Sequence, residues 1–235
     1  MARGQTRFGK FALGSIPRVV GTVSQAETLA QLASVTNRDC DIVEIRLDII
    51  GSNTPRWVEL AQAIEARGLP VVITIRLAVE GGQWTLPDEE RLPLFETAAR
   101  HLTAVDIELR SPILKEVSAL ATRHECALIV SHHDFEQTPP VGELKKVVAT
   151  AADFASVVKI VTFTKTDEDV GVLRTLLHEK RSIPLCVMGM GPLGPQTRVK
   201  FPKLGSCLAY GYLDAPVAPN QVPASDLMRQ LNALQ

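Results

Sequence analysis

The chain has 235 residues, of which 46% are hydrophobic, so it can bury one large core. Its 25 basic and 26 acidic residues leave a formal net charge of −1, and only 5% of the residues are aromatic. A balanced charge steers the chain neither to nucleic acid nor to anionic lipid, and so few aromatic side chains offer no stacking platform for bases. These numbers exclude a nucleic-acid or membrane partner and favour an enzyme that acts on a small, polar molecule.

The N-terminus and the cysteines indicate where the protein works. Residues 1–15 lack the apolar stretch of a signal peptide, and no apolar run is long enough to span a bilayer. We therefore expect a cytoplasmic protein in which residues 1–16 form an N-terminal extension or hairpin. No CxxC pair occurs, so the cysteines are expected to be small core hydrophobes rather than zinc or redox ligands. The four cysteines are Cys40, Cys126, Cys186 and Cys207.

Short apolar runs alternate with longer amphipathic segments along most of the chain. The apolar runs are rich in Val and Ile and mostly lack polar alternation, which is typical of parallel strands covered on both faces. In chain order, the predicted elements are strand 18–23, helix 26–34, strand 41–47, helix 56–66, strand 70–75, helix 89–101, strand 104–109, helix 114–124, strand 127–130, helix 142–151, strand 156–162, helix 167–179, strand 184–187, strand 206–211 and helix 225–234.

The repeated strand–helix unit predicts the fold. The strands begin roughly 20–35 residues apart, which is the size of one βα unit. Eight such strands indicate an α/β fold, a single (β/α)8 TIM barrel over residues 1–235, rather than an open doubly wound sheet. The absence of GxGxxG after the first strand also disfavours a dinucleotide site. Because residues 191–202 are rich in Gly and Pro, the seventh unit is predicted to be mostly loop.

Polar residues and two methionines interrupt or end the predicted strands, where a barrel of this kind places its reactive groups. They are Glu44, Arg46 and Asp48 in and after the second strand, Arg76 and Glu80 after the third, Asp106 and Glu108 in the fourth, His132, His133 and Asp134 after the fifth, Lys159 within the sixth, Met188 and Met190 after the seventh, and Arg198 beyond them.

Lys159 is the most informative of these residues, because it lies within a strand otherwise suited to burial. A lysine in a barrel lumen loses hydration, which favours the neutral amine that acts as a nucleophile. The alternative is an ion pair with Asp106 or Glu108 that has only a structural role. His133 ends another apolar strand and is suited to carry protons, although one of the adjacent histidines, His132 or His133, could simply cap the following turn.

Two charged pairs and a glycine-rich segment leave alternatives open. Glu44 and Arg46 face the same side of a strand, so they either bind a polar ligand or form an internal salt bridge. Arg76 and Glu80 allow the same two interpretations. Residues 188–194 suit either a phosphate cradle or two methionine walls for a ring, and the guanidinium of Arg198 suits a carboxylate.

Together with their neighbours, these residues form short sequence blocks, and the blocks in their order along the chain resemble those of the type I 3-dehydroquinate dehydratases of the shikimate pathway. The resemblance runs from Arg18 to Leu227, and the ordered set is specific although each block alone is weak. The blocks are Glu44-Ile-Arg46-Leu-Asp48, Arg76 with Glu80-Gly-Gly, Ser131-His-His133-Asp-Phe, Lys159, Met188-Gly-Met190-Gly, Arg198 and Ala218-Pro-Asn-Gln221.

The resemblance implies a dimeric (β/α)8 barrel, without a metal or other cofactor, that converts 3-dehydroquinate to 3-dehydroshikimate. Lys159 would form an imine with the C3 ketone, and His133, supported by Glu80, would move protons. Arg198 would hold the substrate carboxylate. The remaining implied substrate-binding residues are Glu44, Arg46, Arg76, Gln221, Thr22, Met188, Met190, Tyr210 and Ala218.

The sequence departs from the family mainly in the loop before Gln221, which is a substrate-covering lid in the family. Val217 stands where a Ser is usual, and Asn220 where a Gly is usual. Two competing hypotheses are a lysine Schiff-base aldolase for a phosphorylated sugar and a non-catalytic barrel that binds a metabolite. Arg198 and the two methionines fit a carboxylated ring better than a phosphorylated sugar, and the intact Lys159, His133 and Glu80 disfavour a non-catalytic barrel.

Overall fold

The structure is a computed structural model that describes residues 6–14, 16–36, 39–179 and 181–232. Within these ranges, ten strands and nine α-helices are found. The strands are β1 Arg7–Phe8, β2 Phe11–Ala12, β3 Arg18–Val23, β4 Ile42–Arg46, β5 Val71–Thr74, β6 Ala104–Glu108, β7 Ala127–Asp134, β8 Val157–Phe163, β9 Leu185–Met190 and β10 Leu208–Tyr212. The helices are α1 Ala26–Leu32, α2 Leu47–Ile50, α3 Trp57–Ala66, α4 Asp88–His101, α5 Leu114–Arg123, α6 Val141–Ala152, α7 Asp167–His178, α8 Gly194–Lys200 and α9 Ala224–Asn232.

Eight parallel strands form one sheet in the order β10-β3-β4-β5-β6-β7-β8-β9. The sheet curves round until its two edges meet. There the Cys207 amide donates to the Leu185 carbonyl at 2.9 Å, and the Val187 amide donates to the Ser206 hydroxyl at 2.9 Å. The prediction of a single (β/α)8 barrel is confirmed.

The two faces of the strands build two separate apolar cores. Outward residues such as Val43, Ile45 and Val105 pack against the helices, including the buried Phe95 of α4. Inward residues such as Val20 fill the amino-terminal half of the lumen. Because side chains alternate between the faces with a period of two, the next inward positions along each strand lie nearer the carboxyl end.

A short antiparallel hairpin closes the amino-terminal end of the barrel. β1 pairs with β2, and Phe8 and Leu13 are buried among the apolar residues of the lumen floor. The predicted extension or hairpin of residues 1–16 falls here, although residues 1–5 and 15 lie outside the described residues. The hairpin leaves the carboxyl end of the barrel as the accessible end of the lumen.

Two predicted strands are too short and one predicted loop is wrong. β7 continues to Asp134 and β9 to Met190, because their polar and glycine-containing ends still pair with β8. His133, Met188 and Met190 are therefore strand residues rather than loop residues. Residues 191–202, predicted to be mostly loop, contain α8, because Pro195 lies in its first turn, where the missing amide breaks no hydrogen bond.

The structure also tests the expectation that the cysteines are core residues and the expectation that no segment spans a membrane. All four cysteines are buried and none forms a disulfide, and burial raises the pKa of the Cys40 thiol to about 12. In the described ranges, no helix has the length and apolarity needed to cross a membrane. The cysteines therefore belong to the packing of the barrel.

Candidate active site

A cavity lies at the carboxyl end of the barrel, above the apolar floor of the lumen. Its wall is formed by the second and third inward positions of several strands and by the loops that follow β5 and β10. The lining residues are Glu44, Arg46, Thr74, Arg76, Glu80, Gly81, His133, Phe135, Lys159, Val161, Met188, Met190, Arg198, Tyr210, Val217, Ala218 and Gln221.

Lys159 reaches the cavity from the middle of β8 and is only 5% exposed. Its Nζ donates to Asp106 Oδ2 at 3.0 Å and lies 3.7 Å from Glu44 Oε1. The same nitrogen lies 4.0 Å from the centroid of the Tyr210 ring. The ion pair with Asp106 that the sequence left open is therefore present, but it lies in the cavity wall and leaves the amine at the surface of the cavity.

Asp106 is completely buried and joins Lys159 to Arg76. Its Oδ1 accepts hydrogen bonds from the Arg76 guanidinium and from Ser131 Oγ. Although burial opposes ionisation, Arg76 and Lys159 hold the pKa of Asp106 well below its usual range. Asp106 is therefore a permanent carboxylate beneath the amine, and a poor proton acceptor at neutral pH.

His133 and Glu80 form the second reactive group of the cavity. His133 Nδ1 lies 3.1 Å from Glu80 Oε2, and Glu80 ends a 3-10 turn, Ala78–Glu80, in the loop after β5. Burial raises the pKa of Glu80 to about 7, and burial together with Arg76 and Lys159 lowers the pKa of His133 well below its ordinary value. These shifts keep His133 a neutral imidazole near neutral pH, able to accept a proton, while Glu80 titrates in that range.

Lys159 and His133 approach the same space from neighbouring strands. In the register of β7 and β8, Ser131 is opposite Lys159 and His133 is opposite Val161, so the imidazole lies one inward position nearer the mouth. His132 points to the other face of β7, is buried and is absent from the lining. Only one of the two histidines faces the site, as strand alternation requires.

Glu44 and Arg46 do not form the internal salt bridge that the sequence left open. The Glu44 carboxylate accepts hydrogen bonds from Thr22 Oγ1 at 2.9 Å and Thr74 Oγ1 at 2.8 Å. Arg46 instead forms a two-point ion pair with Asp48, at 2.9 and 2.7 Å. Thr22 itself is completely buried behind Glu44 and does not line the cavity.

Arg198 on α8 is a buried guanidinium without an acidic partner. It is 3% exposed, and its Nη1 donates to the Tyr210 carbonyl at 2.9 Å and contacts Met188 Sδ at 3.2 Å. No carboxylate lies within ion-pair distance of it among the described residues, and burial lowers its pKa to about 10. An unpaired buried cation that lines a cavity suits an anionic ligand.

The loop between β10 and α9 covers one side of the cavity. Val217, Ala218 and Gln221 line it, and Gln221 links the loop to the barrel. Its Oε1 accepts from the Val217 amide at 2.9 Å, and its Nε2 donates to Thr22 Oγ1 at 3.4 Å. Asn220 has φ +56°, a left-handed conformation in which Asn is tolerated next after Gly.

The glycine-rich segment 188–194, which includes the end of β9, does not form an open cradle of amides. The Gly189 amide donates to Thr197 Oγ1 at 2.8 Å, the Leu193 amide to the Thr164 carbonyl, and the Gly194 amide to the Gly191 carbonyl. These three donors are therefore already used within the protein. Met188 and Met190 instead present their side chains to the cavity, as walls.

The structure brings together every predicted site residue except Thr22, which stands behind the lining. Sequence reasoning did not assign Thr74, Phe135 or Val161 to the site, and it treated Asp106 only as an ion-pair partner. Thr74 lies two residues before Arg76, and Val161 two after Lys159, so strand alternation could have found both. No group of three or more His, Cys, Asp or Glu residues in the described ranges is placed to hold a metal ion.

The comparisons with known proteins agree with the geometry of this cavity. Residues 19–235 match the model of a family described as type I 3-dehydroquinase. The chain belongs to the type I 3-dehydroquinase family. It is 33% identical to the 3-dehydroquinate dehydratase of Methanocella arvoryzae, over 93% of this chain and 97% of that relative. It is 37% identical to the protein of the same name from Thermococcus gammatolerans, over 91% and 96% of the two chains.

Solved structures of the type I 3-dehydroquinase family have the same fold. The 3-dehydroquinate dehydratase of Geobacillus kaustophilus is 28% identical and superposes with a TM-score of 0.85, covering 94% of this chain and 92% of that one. The type I enzyme of Clostridium difficile has a TM-score of 0.87 at 23% identity, covering 100% and 98%, and at that identity it shows the fold alone. The predicted family and the prediction of a lyase, a 3-dehydroquinate dehydratase, are confirmed.

Proposed function

We propose that the chain dehydrates 3-dehydroquinate to 3-dehydroshikimate through an imine between Lys159 and the substrate. The observation that carries this proposal is the position of the Lys159 amine in the cavity, beside a carboxylate and in the same space as the His133–Glu80 pair. Imine formation needs an amine that can give up its proton and a group that accepts it, and the cavity holds both.

The first step joins the Lys159 amine to the C3 ketone and releases water. Lys159 attacks as the neutral amine, so a proton first passes from its ammonium to the His133–Glu80 pair, in which Glu80 has a pKa of about 7. The pair then returns that proton to the carbinolamine hydroxyl, which leaves as water. The resulting iminium carries the positive charge that the ammonium carried before. Asp106 remains ionised 3.0 Å from this nitrogen and stabilises that charge.

The second step removes water from the substrate. His133 takes the C2 proton, and the electron pair moves into the iminium to form a neutral enamine. The enamine then expels the C1 hydroxyl, to which His133 returns a proton, so that water leaves with syn geometry. Hydrolysis of the product imine regenerates Lys159 and releases 3-dehydroshikimate. Glu80, 3.1 Å from His133 Nδ1, orients the imidazole throughout.

The remaining lining residues bind and orient the substrate in this proposal. Arg198 holds the carboxylate, because it is the buried lining cation without an acidic partner in the described residues. Glu44, Arg46, Arg76 and Gln221 bind hydroxyl groups. Met188, Met190, Tyr210 and Ala218 form the walls around the ring, and Thr22 supports Glu44 and Gln221 from behind.

The family resemblance, rather than the cavity, supports the wider setting that we also propose. The reaction is the third step of the shikimate pathway towards aromatic amino acids, in the cytoplasm, and the enzyme works as a homodimer without a cofactor. Sedimentation analysis of the purified protein tests the homodimer: the molecular mass measured at micromolar concentration should be twice that of one chain.

Steady-state assays of two variants test the proposed roles, with the ultraviolet absorbance of the conjugated enone product as the readout. Lys159→Ala is expected to abolish turnover, because it removes the nucleophile. His133→Ala is expected to lower kcat by about 10² to 10⁴-fold, the usual contribution of a general acid–base group. Normal turnover by either variant would contradict the role of that residue.

A further inference from the structure

Arg91 of α4 is an arginine that is completely buried although it is outside the cavity lining. Its Nη1 donates to the Ile75 carbonyl and to Glu108 Oε2, both at 3.1 Å. Its Nη2 donates to Ser111 Oγ at 2.6 Å, and its Nε forms an ion pair with Asp88 at 3.0 Å. A fully buried guanidinium is costly to desolvate, and here both Nη atoms donate hydrogen bonds while Nε has only the ion-pair contact with Asp88.

Glu108 connects Arg91 to the cavity. One carboxylate oxygen accepts from Arg91, and the other lies 3.2 Å from Arg76 Nη1 and accepts from the Leu77 amide at 2.9 Å. Glu108 is 1% exposed, so it bridges one guanidinium in the helix layer and one in the cavity wall. Its position fixes both the Arg76 side chain and the start of the loop that carries Glu80.

The ion pairs continue from Arg76 to the amine. Arg76 donates through Nη2 to Asp106 and through Nη1, the nitrogen that also faces Glu108, to Ser131 Oγ. Asp106 in turn accepts from Lys159. The result is one chain of alternating charge from the helix layer to the cavity. It runs through Asp88, Arg91, Glu108, Arg76, Asp106 and Lys159.

We propose that Arg91 is a positioning residue for the reaction: through Glu108 it fixes the Arg76 guanidinium and sets the net charge that Glu80 faces. This inference rests on the proposed function, in which Glu80 and His133 move protons. Arg91 is outside the cavity lining, so it acts through the residues it holds: Glu108 and the carbonyl of Ile75, which precedes Arg76.

Four charged or titratable groups face Glu80 from the elements around it. Arg76 faces it from the end of β5, Glu108 from β6, Arg110 from the loop after β6, and His133 from β7. Burial is the main cause that raises the pKa of Glu80, and the Glu108 carboxylate raises it further, whereas Arg76 lowers it. Because Arg91 neutralises Glu108, loss of Arg91 exposes Glu80 to more negative charge.

The pH dependence of kcat/KM distinguishes this role from simple packing. Variants of Arg91 and of Glu108 are expected to shift the kcat/KM profile along the pH axis in opposite directions. In Arg91→Met, Glu108 keeps its contacts with Arg76 and the Leu77 amide and stays ionised. Its charge, no longer neutralised by Arg91, raises the pKa of Glu80. The low-pH side of the kcat/KM profile (the acid limb) therefore moves to higher pH by about 0.5 unit or more. In Glu108→Gln, a carboxylate near Glu80 is lost and the acid limb moves to lower pH. Arg91→Lys keeps the charge and is expected to stay closer to the wild type than Arg91→Met.

Phe95→Leu is the matched control, because Phe95 is buried on the same helix, with its ring centroid 5.5 Å from the Arg91 guanidinium. It loosens the same packing without a change of charge, so its acid limb should coincide with that of the wild type. Coincident limbs for Arg91→Met and the wild type, or shifts of the same sign for Arg91→Met and Glu108→Gln, would overturn the inference. A wild type that forms no imine would instead overturn the proposed function.

Discussion

Glu80 combines two requirements that oppose each other in a single carboxyl group. It must be close to His133 to orient the imidazole, and that position buries it, so its pKa rises from 4.5 to about 7. In the folded protein at alkaline pH, the charged carboxylate is therefore held at a cost in free energy of unfolding. Burial of Glu80 thus lowers the free energy of unfolding at this pH, and it also gives the site a proton-transfer group whose pKa is near neutral.

Glu80→Gln is expected to stabilise the protein while it lowers activity. At pH 8 the free energy of unfolding should rise by about 1–3 kcal/mol, because the buried charge is removed. The gain should shrink as the pH falls from 7 towards 4.5, since the folded carboxyl group is then already protonated while the unfolded one is still charged. Urea unfolding at pH 8 and pH 5 measures both values, and a gain that is independent of pH would contradict the stated cause.

The sequence predicts single residues well where alternation along one strand decides their position. Glu44, Arg46 and Lys159 face the cavity because each occupies an inward position of its own strand. For the partner of Lys159 the sequence offered two candidates, Asp106 and Glu108, without a choice between them. Both lie on β6, two strands away from β8, and only the register across β7 decides that Asp106 is the one at 3.0 Å. Phe135 was missed for a similar reason, since its ring packs over Gly81 of a different loop.

At the scale of elements, the order and type of the strands and helices follow from apolar periodicity, but their ends do not. β7 and β9 extend through polar and glycine residues because the neighbouring β8 supplies hydrogen-bond partners. The helix α8 was missed because a count of Gly and Pro ignores their position in the first turn. Both errors fall at the carboxyl end of the barrel, where the chemistry of the site competes with regular patterning.

The loop between β10 and α9 is the element whose conformation the site depends on most directly. Its residue Asn220 has a positive φ, and its residue Gln221 contacts the barrel. Asn220→Val is expected to raise KM several-fold with little change in kcat, because a β-branched residue is strained at this φ and the loop loses its position over the cavity. The measurement is a steady-state titration with 3-dehydroquinate.

Asn220→Gly is the control for the loop, because Gly adopts this conformation freely. It should leave KM close to that of the wild type. Equal KM values for Asn220→Val and the wild type would show that the loop conformation does not limit substrate binding.

At the scale of the whole molecule, the residues that stabilise the fold and the residues of the reactive cavity lie towards opposite ends of the barrel axis. The apolar floor, closed by the β1–β2 hairpin and by Phe8, lies at the amino-terminal end. The charged cavity lies at the carboxyl end. A substitution in the floor should therefore affect folding without an effect on the reaction.

Phe8→Ala tests this separation, because Phe8 is completely buried. It is expected to lower the free energy of unfolding by about 3–5 kcal/mol, the usual cost of Phe truncation in a packed core. The kcat/KM of the folded fraction should stay within about twofold of the wild type. A large loss of kcat/KM at full folding would show that the floor and the cavity are coupled.

The central claim is that Lys159 forms a covalent imine with the substrate, and reductive trapping tests it most directly. The protein is incubated with 3-dehydroquinate and borohydride, its intact mass is measured, and the modified peptide is mapped. We expect one adduct for each chain, on Lys159, in the wild type and also in His133→Ala, where the imine forms but turnover stalls. The absence of an adduct, or an adduct on another lysine, would contradict the claim.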